Sequence, residues 1–186
     1  RKTDKRLPKY NDTAESDVFL FAGAEDLVPV IGDAQHPNPL IITGANGFTI
    51  TRYIPRVEGL FARIEKIRPN GQSYFYWRVT TRDNINTYFG LQASSRLSDP
   101  KDASRIYKWL PDMSFDDKGN VHVFEYKAED LVGVPKTLHE QHRHNGLQGI
   151  ANLYLKRVYY GNKTPYSFGT ASAYAPVLPQ PSDFFY

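Results

Sequence analysis

The sequence predicts an all-β fold, mostly antiparallel hairpins and meander, with at most short helical turns. Three observations carry that prediction. Turn-forming residues punctuate the 186-residue chain, and strand-like runs lie between them. Aromatic residues make up 14% of the chain, with Tyr (13) ahead of Phe (11); together with Val, Ile and Thr they favour a pleated, half-buried surface. Helical periodicity is thin by comparison.

Taken in order, the first hairpin sets Val18–Ala22 against Leu27–Ile31 around Gly23-Ala24-Glu25-Asp26. The second sets Leu40–Thr43 against Phe48–Tyr53 around Ala45-Asn46-Gly47, and the third Leu60–Arg68 against Ser73–Thr81 around Pro69-Asn70-Gly71-Gln72. Asn-Gly pairs suit a type I′ turn, which needs positive φ at both central residues. A β-branched residue at Gly71 resists that φ. Asp83-Asn84 turns the chain into Ile85–Phe89, and Asp116-Asp117-Lys118-Gly119-Asn120 turns a Tyr107–Phe115 strand into Val121–Lys127. Asn152–Tyr160, closed by Gly161-Asn162, is the last strand. Single helical turns are expected at Glu129–Gly133 and Pro100–Arg105, and a loop with a short helix at His139–Ile150. Thr164–Tyr186 carries four prolines and reads as an irregular tail. Its Tyr166, Phe168, Tyr174, Phe184, Phe185 and Tyr186 are expected to pack it along a surface.

Strand alternation assigns side chains to faces. Phe75, Trp77 and Val79 oppose Tyr74, Tyr76 and Arg78; Trp77 and Trp109 read as packing residues. Val121–Tyr126 and Asn152–Tyr160 have apolar groups on both faces, which suggests a sheet covered on both sides or lying against a partner.

Composition excludes several function classes. The formal charge of +3, from 23 basic and 20 acidic residues, does not signal nucleic-acid binding. Basic residues cluster only at the start, where Arg1, Lys2, Lys5, Arg6 and Lys9 meet Asp4 and then Asp12, Glu15 and Asp17, so local neutralisation is expected. The absence of cysteine excludes disulfides, thiol chemistry and Cys-based metal sites. No apolar run approaches the ~20 residues that span a bilayer. The chain starts at Arg1 with no signal peptide and is expected to be excised from something longer.

No catalytic, cofactor-binding or metal-ligating residue is assigned. His139, His142 and His144 have neither the i, i+4 spacing nor the rigid frame that zinc uses, and read as exposed loop histidines. Asp116, Asp117 and Asn120 lack the bidentate Glu of a calcium loop and enclose Lys118, so hairpin-turn chemistry accounts for them. Adjacent carboxylates at Glu25/Asp26 and Glu129/Asp130 make poor acid–base partners, because neighbours on a strand point to opposite faces. There is no Gly-x-Ser-x-Gly elbow and no phosphate loop. The candidate residues are therefore structural: Asn46, Gly47, Asn70, Gly71, Asp83, Asn84, Asp117, Lys118, Gly119 and Asn120 in turns, Trp77 and Trp109 in packing. In the alternative reading, Tyr74, Tyr76 and Arg78 form an exposed row that recognises a glycan or a protein.

Ordered phrases along most of the chain carry a resemblance. They include Arg1-Lys2-Thr3-Asp4-Lys5 leading to Leu7-Pro8-Lys9-Tyr10, and Gly23-Ala24-Glu25-Asp26-Leu27-Val28-Pro29-Val30. Pro55-Arg56-Val57-Glu58-Gly59-Leu60-Phe61-Ala62-Arg63-Ile64-Glu65 follows, then Trp77-Arg78-Val79-Thr80 and Tyr88-Phe89-Gly90. Glu125-Tyr126-Lys127-Ala128-Glu129-Asp130-Leu131 and Tyr154-Leu155-Lys156-Arg157 come last. With these phrases, residues 1–186 resemble part of the SpvB-type domain, as in the B components of insecticidal Tc toxin complexes and the Salmonella virulence-plasmid B protein. The resemblance implies a secreted virulence factor and a segment of a curved β shell that encloses a toxic polypeptide. It implies partners in the remainder of the same subunit and in A-type and C-type toxin-complex components. Phe115-Asp116-Asp117-Lys118-Gly119-Asn120 is similar to a turn of Rhs/YD-type repeats. The family's upstream strands are expected to be missing here, leaving an unpaired sheet edge. The ADP-ribosyltransferase of the virulence-plasmid relative needs Glu-x-Glu and Ser-Thr-Ser motifs, and this sequence has neither.

Overall fold

Turn chemistry and two-residue alternation produce twelve strands among the described residues of the computed structural model, which are 1–2, 7–12, 14, 17–22, 25–32, 39–45, 47–57, 59, 61–146, 150–168 and 172–186. They are β1 (Phe19–Phe21), β2 (Glu25–Pro29), β3 (Ile41–Ala45), β4 (Phe48–Pro55), β5 (Arg63–Pro69), β6 (Tyr76–Thr80), β7 (Asn86–Phe89), β8 (Arg96–Asp99), β9 (Asp102–Trp109), β10 (Pro111–Phe115), β11 (Val121–Ala128) and β12 (Leu153–Tyr159). Ten form one antiparallel sheet in the order β1-β2-β4-β5-β6-β7-β10-β11-β12, with β3 also paired to β4. β8 and β9 make a separate hairpin. One six-residue helix, α1 (Gln141–Gly146), follows a 3₁₀ turn at Leu138–Glu140. The fold is all-β and antiparallel.

Cross-strand register sorts the central side chains onto two faces. Ile50 opposes Ile67, Ile67 opposes Tyr76, Arg78 opposes Tyr88, and Tyr88 opposes Met113. Ile50, Ile67, Tyr76, Tyr88 and Met113 join Phe115, Val121 and Val123 in one core, covered by Tyr166, Phe168, Tyr174, Leu178 and Phe184 from the tail. On the opposite face Tyr53, Ile64, Trp77 and Val79 form a second core with Phe19, Leu27 and Phe75. The centre of the sheet is thus closed on both sides by the two ends of its own chain.

Several expectations are corrected. Only Gly71 has positive φ (76°) in the turn at Asn70-Gly71, where Gln72 N–H donates to the Pro69 carbonyl (3.1 Å); a type I′ turn needs Asn70 there too. Gly47 has φ 87°, while Asn46 lies outside the described residues. Asp83 and Asn84 belong to a three-residue loop closed from Thr81 to Ile85, with Asn84 in the left-handed region (φ 58°). The loop at Asp117-Lys118-Gly119 has the same form: Asp116 Oδ1 accepts the N–H groups of Lys118 and Asn120, and Gly119 has φ 85°. Space around Gly71 is open, so Gly71→Val should cost only backbone strain, about 1–2 kcal/mol. An unchanged melting temperature would refute the role assigned to that turn.

The expected Tyr107–Phe115 strand is two strands, because Pro111 has no N–H to continue the ladder and the chain steps from one sheet to the other there. The helical turn expected at Pro100–Arg105 is the tip of the β8–β9 hairpin. Asp99 and Asp102 cap its backbone through Lys101 N–H (2.9 Å) and Ser104 N–H (3.0 Å). Glu129–Gly133 contains a hydrogen-bonded turn at Leu131–Val134 and no helix. β12 lies at the margin of the sheet, where Tyr154, Leu155 and Val158 are exposed, so of the two expected arrangements the chain does not itself cover both sides there.

Candidate functional site

The row Tyr74, Tyr76, Arg78 does not form an exposed binding face. Tyr76 and Arg78 are buried, and Tyr74 is half-buried beneath the Arg96 guanidinium, 4.0 Å from its ring centroid. The tail explains the difference. The Ala173 carbonyl accepts from Arg78 Nη1 (3.0 Å) and from the Tyr88 hydroxyl (2.6 Å), and the Tyr174 carbonyl accepts from the Tyr76 hydroxyl. Arg78 also lies over the Tyr174 ring (4.7 Å) and donates to Glu65 Oε2 through Nε at 2.8 Å and Nη2 at 2.6 Å. Burial on its own would lower the Arg78 pKa; the Glu65 carboxylate outweighs it and holds the pKa above the ordinary arginine value. Burial pushes the Tyr88 hydroxyl up to about 12.

The other face is an aromatic box. Phe19 sits edge-on to Tyr53, Phe75, Trp77 and Trp109, with centroids 5.1–6.0 Å apart. Trp109 is fixed by its indole N–H, which donates to the Phe75 carbonyl (2.9 Å). Trp77 is buried in this box and Trp109 is half-buried at its edge. Two cations enter the same box. Lys66 Nζ lies 5.3–5.8 Å from the rings of Phe19, Tyr53 and Phe75. Arg1 lies over Tyr10, Phe19, Phe75 and Trp109, donates to the Ile106 carbonyl (2.6 Å), and pairs with Asp12 and Asp17 at 2.7 and 2.9 Å. Burial would raise the Asp17 pKa, but the N–H groups of Lys9 and Tyr10 and the Arg1 charge hold it below the ordinary carboxylate value. Lys2 pairs with Asp26 at 3.1 Å. Arg1 and Lys2 are thus neutralised locally, while Lys9 gives only its backbone N–H to Asp17; Asp4, Lys5, Arg6 and Glu15 lie outside the described residues. Beside Trp109 the box opens into a cleft of about 540 Å³.

Asp112 on β10 was not anticipated from the sequence. It is buried, and its carboxylate accepts the N–H groups of Leu91 (2.6 Å) and Gln92 (3.2 Å), tying the start of the β8–β9 excursion to the sheet. Burial pushes its pKa up to about 6, against the opposing effect of these bonds and of Arg96. An unfolded aspartate titrates near ~3.9. Between those values the folded chain holds a proton that the unfolded chain has released, so stability rises as pH falls. The contribution is complete below about pH 4 and is lost as pH rises through 6. The gain on going from pH 7 to pH 4 is about 2 kcal/mol. Thermal melts across that range should show Asp112→Asn with a flatter pH profile than the parent; parallel profiles would refute the assignment.

Among the described residues no three His, Cys, Asp or Glu side chains converge to hold a metal ion. Also among the described residues, no helix is long and apolar enough to cross a membrane. Arg1, Glu65, Lys66, Arg78 and Asp112 are committed to the chain's own backbone, rings and counter-charges.

A sequence profile of the family described as Salmonella virulence plasmid 65kDa B protein matches residues 1–185. Relatives named Mono(ADP-ribosyl)transferase SpvB, from Salmonella typhimurium and Salmonella dublin, are 33% identical over 171 residues, covering 89% of this chain and 28% of their own length. The N-terminal domain of effector protein SpvB from Salmonella typhimurium strain LT2 superposes with a TM-score of 0.78 at 32% identity, over 98% of this chain and 55% of that one. The crystal structure of TcdB2-TccC3 contains a similar region, with a TM-score of 0.74 and 28% identity over 96% of this chain and 8% of that one. The chain therefore spans 28% of the curated relatives and about half of the solved SpvB domain.

Proposed function

This chain belongs to the family of the Salmonella virulence plasmid 65kDa B protein, and from that premise we propose that it is a non-enzymatic structural segment of a secreted bacterial toxin subunit. Its role is to build part of the wall of a β shell around a toxic polypeptide. Its partners are the remainder of its own subunit and the A-type and C-type components of a toxin complex. The likeness to TcdB2-TccC3 supports this reading.

The observation that carries it is how the side chains are used. Glu65, Arg78, Tyr76 and Tyr88 fasten the tail across the sheet, and Arg1 and Phe19 fasten the N-terminal end against Ile106 and Trp109. Strand β12 faces outward at one sheet margin, with apolar Tyr154, Leu155 and Val158 exposed. A wall segment needs a rigid panel with joinable margins, and exposed strands join neighbours through main-chain hydrogen bonds. The glycan-binding alternative loses its main support with Tyr76 and Arg78 buried.

Cryo-electron microscopy of the complete subunit encoded by this reading frame tests the proposal. The expected image has residues 1–186 within a continuous wall and β12 paired to a neighbouring strand. A detached module with β12 free would overturn it.

A further inference from the structure

We infer that the cleft beside Trp109 receives a bulky apolar side chain, followed or preceded by an acidic residue, from a flanking segment of the same subunit. The inference rests on the subunit reading above for the existence of that segment.

The cleft itself argues for an occupant. Its walls are Phe21, Trp77, Val79, Phe89 and Trp109, and its volume of about 540 Å³ is in the range of pockets that enclose whole ligands. Such a surface gains by excluding water, and interface cores favour large apolar anchors seated in pockets of this kind. Its floor is preorganised: the Trp109 ring is pinned by the Phe75 carbonyl and by Phe19 and Trp77, so binding requires no rearrangement of the box.

Charge selects the occupant further. Two cationic residues line the cleft, Arg1 and Lys108. Arg1 is already satisfied by Asp12, Asp17 and the Ile106 carbonyl. Lys108 lies in β9 opposite Leu97 and is exposed, and among the described residues no carboxylate pairs with its ammonium. A carboxylate beside the apolar anchor complements it.

The source follows from chain length. This chain covers 98% of itself but only 55% of the solved SpvB domain, so in that relative nearly as much further polypeptide shares the domain with the same fold. A tethered segment reaches the cleft at a high effective concentration, which compensates for the small contact area.

Trp77 and Trp109 both line the cleft, so their fluorescence, measured with every tryptophan outside residues 1–186 replaced by phenylalanine, reads its occupancy. Acrylamide quenching would be compared between the 186-residue chain and the complete subunit, and zero-length carbodiimide cross-links from Lys108 would be mapped by mass spectrometry. The expected result is strong quenching in the short chain, protection in the complete subunit, and a cross-link from Lys108 to an Asp or Glu outside residues 1–186. Lys108→Glu should favour the open cleft roughly five- to tenfold in the complete subunit, raising quenching toward that of the short chain. Equal quenching in both proteins, cross-links confined to residues 1–186, or protection that appears only when another component is added would each overturn the inference. A Lys108 cross-link to a flanking segment in a subunit that forms no wall would uphold this inference and sink the wall reading alone.

Discussion

Alanine at Gly90 is expected to destabilise the protein by about 3–5 kcal/mol, through strain and overpacking together. Gly90 has φ 71°, and a Cβ there would overlap Trp109 Cδ1 and lie 3.0 Å from Cγ. Both partners are held in place. Gly90 N–H donates to the Leu110 carbonyl (2.9 Å), which fixes the backbone one residue beyond Trp109. The indole is held by the Phe75 carbonyl and stands 4.8 Å from the Phe75 ring and 6.1 Å from Trp77. Expelling it would sacrifice that hydrogen bond, about 1 kcal/mol, and the ring contacts around it. Urea unfolding followed by tryptophan fluorescence would measure the loss. Gly71→Ala is the control, because it meets positive φ with no neighbour within 4 Å and pays only the backbone term. If Gly90→Ala lost no more stability than Gly71→Ala, the close approach of Gly90 to Trp109 would not be a structural constraint.

The hairpins were legible because the chain announces them locally. Pro69-Asn70-Gly71-Gln72 and Asp116 to Asn120 carry turn residues at the required offsets, and Trp77 and Tyr76 point apart as two-residue alternation demands. The β8–β9 hairpin was missed because its register shifts between Leu97 and Ser98 and again between Ser98 and Asp99, which erases alternation. Asp-Pro-Lys-Asp at its tip is equally compatible with a helix start. The Tyr74-Tyr76-Arg78 row was correctly seen as one side of a strand, but its exposure depends on Ala173, 95 residues beyond Arg78. No local pattern encodes such a contact. Arg1, Glu65, Lys66 and Asp112 were read as surface or went unremarked, because charged side chains are seldom buried unless paired. Arg1 and Lys66 meet rings and a carbonyl, Glu65 meets Arg78, and Asp112 meets backbone N–H groups, all distant in sequence, so the chemistry of both faces emerged only with the packing.

Glu65→Ala should cost about 3–5 kcal/mol and loosen the tail, because it leaves the Arg78 guanidinium buried without its carboxylate. Arg78 keeps the Ala173 carbonyl and the Tyr174 ring as neighbours, but neither carries a full negative charge. The guanidinium then has to draw in water or move, and either response disturbs the contact that holds Ala173 and Tyr174 over the sheet. Limited proteolysis should therefore cut the 164–186 segment faster in Glu65→Ala than in the parent, alongside the fall in melting temperature. Replacing both partners separates the value of the pair from the penalty of breaking it. Glu65→Met with Arg78→Met removes both charges while filling similar volume, and buried pairs replaced in this way often lose little stability. The double variant should lie above Glu65→Ala in stability, yet it forfeits the Arg78 bond to Ala173, so its tail should still be cut faster than the parent's. Recovered stability with an easily cleaved tail would identify the ion pair as a fastener for the chain end. A Glu65→Ala variant within about 1 kcal/mol of the parent would instead mean that water reaches Arg78 and that the tail does not seal this face.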